Sequence, residues 1–300
     1  MSESKFKIIE DPEYNFGRLE PIPAPSELND FYESKYFSLI KKGGRASEMR
    51  KLIERRNRSN PELKWLERTL YKDICQILIE LEAGKKLFDV GCGTGDFLRH
   101  AGSQGFVASG IDPSQEGFKI AQSIGIDVQQ STLEEYVKNL KRQNFQPFDI
   151  ITLINVLEHL PHPDEVIENI KIILRPGGII CIRVPNDFSE IQMATQKKID
   201  IKPWWVAIPD HVNYFNFKSL KEFLKKFGFD VVYLFSDFPM EFFLLMDENY
   251  VKNAKKGREC HQKRVAFELS MPGDLRRRLY KSFAELGIGR NSLVFARRNN

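Results

Sequence analysis

The stretch Leu87-Phe88-Asp89-Val90-Gly91-Cys92-Gly93-Thr94-Gly95-Asp96-Phe97-Leu98 constrains this chain more than any other. A short apolar run gives way to three glycines at alternate positions, and then to a segment that opens a helix. An apolar run this short, bounded by glycines, reads as a buried strand. Glycines permit positive φ and let a ligand approach the backbone with no Cβ in the way. The spacing is Gly91-x-Gly93-x-Gly95, whereas a dinucleotide fold wants Gly-x-Gly-x-x-Gly with a pyrophosphate at the helix N-terminus. Asp89, two positions before the first glycine, would repel a pyrophosphate and suits a cationic amino-acid group. Asp112 closes the next apolar run some twenty residues on, the position from which nucleoside-binding α/β folds hydrogen-bond ribose hydroxyls. Either acid alone reads as a helix cap. The pair around a glycine loop reads as a site for one ligand with an amino acid at one end and a nucleoside at the other.

The rest of the chain supplies the frame. Strands are expected at 85–90, 106–112, 126–130, 148–156, 179–184, 229–235 and 292–297. Helices are expected at 96–104, 113–124 (with Pro113 in its first turn), 132–143, 162–174 and 216–227. Pro176-Gly177-Gly178 is a strong helix stop. Strands alternating with helices imply a parallel sheet covered on both faces, with ligands at the carboxyl ends of the strands. The fold class is therefore α/β, a Rossmann-like doubly wound, mostly parallel seven-stranded sheet. Residues 1–83 form an N-terminal arm and helical cap. The arm, to about residue 30, is broken by Pro12, Pro21, Pro23 and Pro25, and Ile74, Ile77, Leu78 and Leu81 make one helical face. Residues 84–235 are the core, 236–290 an insertion that reads as a lid or a homodimer surface, and 291–300 the last strand and tail.

Charge and cysteine content exclude several classes. A net charge of +4 argues against a dedicated nucleic-acid binder, whose domain pI usually exceeds about 9. Basic residues do cluster at 41–58, at 252–264 and at Arg276-Arg277-Arg278. Each cluster reads as a solvated helix face, or together as a rim attracting a phosphate-bearing acceptor. The four cysteines suggest neither a disulfide framework nor a metal pair, which fits a cytoplasmic protein. No apolar start resembles a signal region, and no run approaches the ~18 residues a membrane span needs.

A resemblance to a known family carries further. The glycine loop with Asp89 and Asp112, the segment Asn155-Val156-Leu157-Glu158-His159-Leu160-x-x-Pro163 and the turn Leu174-Arg175-Pro176-Gly177-Gly178 resemble the class I S-adenosylmethionine (SAM)-dependent methyltransferases. They look most like the broad group related to ubiquinone-biosynthesis methyltransferases. The resemblance implies that the cofactor is SAM and the product S-adenosylhomocysteine. It implies that Asp89, Gly91, Cys92, Gly93 and Gly95 meet the methionine part and Asp112 the ribose. Pro113 and Ser114 would lie beside the adenine, and Thr132 and Leu133 would offer it backbone contacts. Asn155, Val156 and Leu157 would complete the pocket. Cys92 reads as a small loop residue rather than a reactive thiol.

For the acceptor, the polar and aromatic segment Pro209-Asp210-His211-Val212-Asn213-Tyr214-Phe215 lies where loops usually carry substrate chemistry. His211 could take a proton from a substrate hydroxyl, and His159 is a second candidate base or a structural histidine. Tyr32, Tyr36, Trp204, Trp205, Asn213 and Tyr214 are candidate substrate contacts. No metal is required and no ligand cluster is visible. The His211 segment and Leu286-Gly287-Ile288-Gly289-Arg290-Asn291 are similar to those of methyltransferases found near bacterial surface-glycan or lipid biosynthesis genes. A hydroxyl of a sugar, nucleotide-sugar or lipid precursor is therefore expected as acceptor. A phenol or quinone precursor, for which Trp204, Trp205 and Phe215 would be pocket walls, is the alternative. A non-catalytic SAM-binding module and an RNA methyltransferase are the other classes. The RNA reading is weakened by the modest charge and by Asn155-Val156-Leu157-Glu158 where amino-methylating enzymes carry Asn-Pro-Pro-Tyr. The Cys-rich zinc module of sugar C-methyltransferases is absent from the sequence.

Overall fold

The computed structural model describes residues 5–24, 27, 60–140 and 145–300. Its centre is a seven-stranded sheet built from β3 (Lys86–Val90), β4 (Val107–Asp112), β5 (Asp127–Gln130), β6 (Phe148–Ile154), β7 (Leu174–Pro185), β9 (Phe229–Phe235) and β10 (Asn291–Arg298). The order is β5-β4-β3-β6-β7-β10-β9. The pairs among β3 to β7 are parallel, and β10 runs antiparallel between β7 and β9. The chain moves outward from β3 to β5, then returns to place β6 on the other side of β3. The crevice over the carboxyl ends of β3 and β6 is thus the switch point at which ligands bind.

Successive side chains of each strand feed opposite faces. Leu87 and Ile150 join the core beneath α2 (Leu70–Glu80) and α3 (Asp96–Ser103), and α1 (Pro61–Arg68) adds Leu63, Trp65 and Leu66. Phe88 and Ile151 join the core beneath α5 (Leu133–Leu140), α6 (Pro163–Ile173) and α8 (Phe217–Lys226). A sheet buried on both faces requires such near-continuous apolar strands.

Several boundaries differ from the sequence reading, each for a local reason. α4 (Gln115–Ser123) starts after Pro113, because the Ser114 hydroxyl caps it by accepting from the Gly117 N–H. α6 stops at Ile173 and the chain extends at once, so β7 begins at Leu174 and Pro176-Gly177-Gly178 lies inside it. The arm is not merely extended. β1 (Lys7–Glu10) and β2 (Gly17–Glu20) form an antiparallel hairpin, and β2 pairs with the two-residue β8 (Asn213–Tyr214).

Residues 236–290 carry α9 (Glu241–Leu245), α10 (Ala254–Ser270) and α11 (Gly273–Glu285). The Trp65 indole N–H donates to Glu268 at 2.7 Å, and Arg276 makes two bonds to Asp73 at 2.8 and 2.9 Å. The insertion is therefore fastened to α1 and α2 by buried polar contacts. Arg264 and Arg276, at 5% and 3% exposure, are structural cations, so these two leave the proposed phosphate-attracting rim. Among the described residues no helix is long and apolar enough to cross a membrane.

Candidate active site

Asp89 and Asp112 end the adjacent strands β3 and β4, and the glycine loop wraps the space between them. Gly91, Gly93 and Gly95 all take positive φ, at 71°, 54° and 76°. A Cβ on Gly91 would come within 2.6 Å of Val156, whereas one on Gly93 would meet nothing within 4 Å. Gly93 thus faces open space where a ligand can lie against bare backbone, while Gly91 seats the loop on the β6 end. Two further glycines escaped the sequence reading. A Cβ on Gly110 would meet the Asp89 carbonyl at 2.6 Å, and one on Gly117 would meet the Ser114 hydroxyl at 2.6 Å.

Asp112 is organised as an acceptor. Its Oδ2 takes the Gly93 N–H at 2.8 Å, and its Oδ1 takes the Ser114 N–H at 2.9 Å and the Ser114 hydroxyl. A carboxylate offers about four acceptor positions, so Oδ2 retains one for a further donor. Asp89 is 3% exposed and accepts from the Thr152 hydroxyl. Burial pushes its carboxyl up to about 7, the Thr152 bond opposes this, and Asp112 adds to it. A cation beside an acid held this way would favour its charged form. Thr152 was missed, although a lone threonine among Ile150, Ile151, Leu153 and Ile154 of β6 is a legible signal. Cys92 is buried and its thiol is pushed up, chiefly by burial and then by Asp89 and Asp112, so it is inert.

On the adenine side, Thr132 forms a capping box with Glu135: the Thr132 N–H donates to the carboxylate and the Thr132 hydroxyl accepts from the Glu135 N–H, both at 3.2 Å. The Leu133 side chain is in the core. Beyond β6, Asn155 takes φ 58° and is locked on both sides, its N–H donating to the Arg183 carbonyl and its Oδ1 accepting from the Arg183 guanidinium. Arg183 reaches on to Asp237 at 3.3 Å. Leu157 is fully buried.

The two histidines come together although fifty residues separate them. Their rings lie 5.0 Å apart at 80°. His159 Nδ1 is 2.8 Å from the Asp210 carbonyl and 3.3 Å from its carboxylate, and Nε2 is 3.8 Å from Glu158. Burial alone would lower the imidazole, but Glu158 and Asp210 outweigh it and raise it to about 9. A histidine that stays protonated at neutral pH is a poor base, which favours His211 over His159 as the base candidate. Ligand-capable atoms of Glu158, His159 and His211 lie within 4.8 Å of one another, a constellation that the sequence spacing hid.

The other proposed acceptor contacts divide. Trp204 and Trp205 are half-buried and pack edge-to-face at 4.8 Å, and Phe188 abuts Trp205 at 5.6 Å. Asn213 serves the backbone instead. Its amide donates to the Leu157 and Leu160 carbonyls at 3.0 and 2.7 Å, strapping the turn that carries His159. Tyr214 is buried in the small core with Phe6 and Leu19. The Tyr214 ring also stands 6.3 Å from that of His211. Tyr32, Tyr36 and the 41–58 basic stretch lie outside the described residues. Gly287 and Gly289 are structural, their carbonyls accepting from Asn186 at 2.9 and 3.0 Å. A cavity of about 390 Å³ beside Lys72, Gln104 and Gly273 lies at the far end of α3 from the glycine loop and is separate from this site.

A strand order with one antiparallel strand beside the edge, and two acids flanking a glycine loop at the switch point, define a Rossmann-like fold of the SAM-dependent methyltransferase type. The sequence matches the family described as a methyltransferase domain over residues 63–234, so the chain belongs to that family. It is 35% identical over 109 residues to the ubiquinone biosynthesis O-methyltransferase of Actinobacillus pleuropneumoniae, covering 34% of this chain and 47% of that protein. It is 37% identical over 114 residues to the protein of the same name from Pasteurella multocida, with the same coverage. The chain thus spans about half the length of the relatives it matches. Among solved structures, a SAM-dependent methyltransferase from Archaeoglobus fulgidus shares the fold with a TM-score of 0.53 at 17% identity, over 88% of this chain and all of that one. Magnesium protoporphyrin IX methyltransferase from Synechocystis, with bound S-adenosylhomocysteine, aligns with a TM-score of 0.52 at 12% identity, over 92% of this chain and all of that one.

Proposed function

We propose that this chain transfers the methyl group of SAM to a hydroxyl of a small-molecule acceptor. The observation that carries the reading is the buried acid pair around an open glycine loop: Asp89, whose ionised form a cation would favour, and Asp112, pre-aligned as an acceptor. The residues fit SAM, with Asp89 taking the α-ammonium, Asp112 the ribose hydroxyls and the Gly93 backbone lying along the ligand. Pro113, Ser114, Thr132 and Leu133 border the adenine. The Thr132 N–H already has a partner in Glu135, which leaves Leu133 for a backbone contact. When bound, SAM supplies a methyl group already activated by its sulfonium. What remains for the protein is alignment, exclusion of water and acceptance of one proton, and alignment alone can supply several kcal/mol of the barrier. His211 takes the proton from the acceptor hydroxyl, and His159 with Asp210 fixes the wall against which His211 stands.

The acceptor we favour is a hydroxyl of a sugar or of another glycan or lipid precursor, set among the half-buried Trp204 and Trp205. A phenolic acceptor is the second reading, supported by the flat aromatic surfaces of Phe188 and Trp205 and by the name the relatives bear. A phosphate on the acceptor would meet exposed cations such as Lys255 and Arg258 of α10, since Arg264 and Arg276 are engaged. The exposed Phe267, Leu275 and Leu286 are the surface on which the insertion would meet a second copy.

Calorimetric titration with SAM and S-adenosylhomocysteine tests the reading. Asp112→Ala should weaken both by tenfold or more, as loss of charge-assisted hydrogen bonds does. His211→Asn should bind SAM normally and turn over roughly 10²–10⁴-fold more slowly. A wild-type protein that fails to bind SAM would sink the reading. One that binds SAM and makes no S-adenosylhomocysteine with any acceptor pool would be a binding module.

A further inference from the structure

Next to the histidine pair lies a group of buried polar atoms that the scheme above does not use. Glu158 sits in the one-turn helix after β6, and Asp187 and Ser189 directly follow β7. Gln192 lies in α7 (Glu190–Ile199), and Glu241 opens α9, the helix α7 packs against. All five residues are at most 5% exposed. Glu158 Oε2, both carboxylate oxygens of Asp187, Ser189 Oγ, Gln192 Oε1 and Glu241 Oε2 are buried and make no hydrogen bond. Except for the serine hydroxyl, these are atoms that accept only.

The rest of the molecule shows how this chain treats acids that serve structure. Asp73 is bonded twice by Arg276, and Asp237 is bonded by Arg183, Arg264 and Asn291. Buried carboxylates left without partners are costly and are retained where something else completes them. Here the nearby cations are already engaged or distant. Arg183 is held by Asn155 and Asp237, His159 by Asp210 and Glu158, and Arg290, which acts on Glu241, is itself exposed. The charged groups acting on Asp187 are Glu158 and Glu241, both acids, and with burial they push its carboxyl well up.

We propose that Asp187, with Glu158 and Glu241, forms a subsite for a protonated primary amine on the methyl acceptor, beside the hydroxyl presented to His211. This rests on the methyltransferase reading and names the acceptor class more narrowly. An ammonium brings three donors and one positive charge to a cluster with surplus acceptors, in which His159 faces Glu158 at 3.8 Å while the charged groups acting on Asp187 are both acids. An N-acetylated or phosphorylated group at the same place would leave the acids unmatched or repel them. A metal ion is the other cation to consider, since ligand-capable atoms of Glu158, His159 and His211 lie within 4.8 Å of one another; Asp187 and Glu241 stand outside that trio, and the EDTA and magnesium arms below separate the two cations.

The test uses matched probes on the full chain, with and without saturating S-adenosylhomocysteine. These are glucosamine against N-acetylglucosamine, tyramine against 4-methylphenol, and glucose 6-phosphate as the anionic arm, each with EDTA and with magnesium. S-adenosylhomocysteine affinity is measured first, so failure of the cofactor reading is seen separately, and the probes still report on the subsite. The expected result is that at least one amine binds about tenfold or more tightly than its neutral counterpart, regardless of EDTA. That preference should vanish in Asp187→Asn and fall in Glu241→Gln, with S-adenosylhomocysteine affinity unchanged. Because the acids are unmatched in the free protein, Asp187→Asn should melt at or above the wild-type temperature. Equal affinity within both pairs, absence of amine binding, preference for the phosphate, dependence on magnesium, or a lower melting temperature in Asp187→Asn would each overturn the proposal.

Discussion

At the scale of single residues, Asp89 links the fold to a measurable property. Its ordinary pKa is near 3.9, and burial with its neighbours raises it to about 7 in the free protein. The ammonium of SAM favours the ionised carboxylate, so binding near neutral pH should release a proton. SAM affinity should therefore rise with pH by up to about tenfold per unit below 7 and level off above it. Titrations from pH 6 to 8.5 in buffers of different ionisation enthalpy check this, and a flat profile would remove Asp89 from the ammonium's side. The sign for stability is the opposite. A carboxyl raised in the folded state stabilises fully below its unfolded pKa, and that contribution is lost as pH climbs through 7. Asp89 and Asp112 were legible in sequence because the glycine loop ties them together locally. Thr152, the partner of Asp89 from another strand, was legible only as an oddity in an apolar run.

At the scale of elements, the small sheet explains what the His211 loop is fastened to. β8 holds the loop from one side by pairing with β2, and Asn213 holds the His159 turn from the other through two carbonyls. Asn213→Ala would leave both carbonyls without that donor in a buried setting. It should cost roughly 1–3 kcal/mol in denaturant unfolding and lower turnover more than it weakens SAM binding. Unfolding and kinetics unchanged from wild type would show the strap to be dispensable. The sequence offers Asn213 and Tyr214 as substrate contacts because a polar–aromatic loop at a sheet edge usually carries them. The structure adds a pairing with a hairpin some two hundred residues away, to which no local pattern points.

At the scale of the whole molecule, the 236–290 insertion is held to the N-terminal helices by charge. Arg276 bonds Asp73 of α2 and the carbonyls of Glu268 and Arg68. Arg264 bonds Asp237 and Glu268, and Asp237 continues to Arg183 and so to Asn155. Arg276→Met leaves buried Asp73 only the longer contact to Arg277 at 3.6 Å and should cost up to roughly 3–5 kcal/mol, while SAM affinity, set at the other end of α3, should hold. Chemical unfolding beside a SAM titration separates the two, and equal losses in both would mean that the insertion and the cofactor site are one cooperative unit.

Strand–helix alternation, the doubly wound class, the glycine loop and the two acids could all be read from the order of residues, because they depend on periodicity and on neighbours within a few turns of one another. Which polar residues serve structure, and which remain for chemistry, was settled only by folding. Arg264 and Arg276 read as surface charges and are buried ion-pair partners, while Asp187 and Glu241 attracted no notice and are buried with unpartnered oxygens. Whether a charged side chain is satisfied depends on partners brought from distant segments, and the one-dimensional pattern records the residue but not the partner.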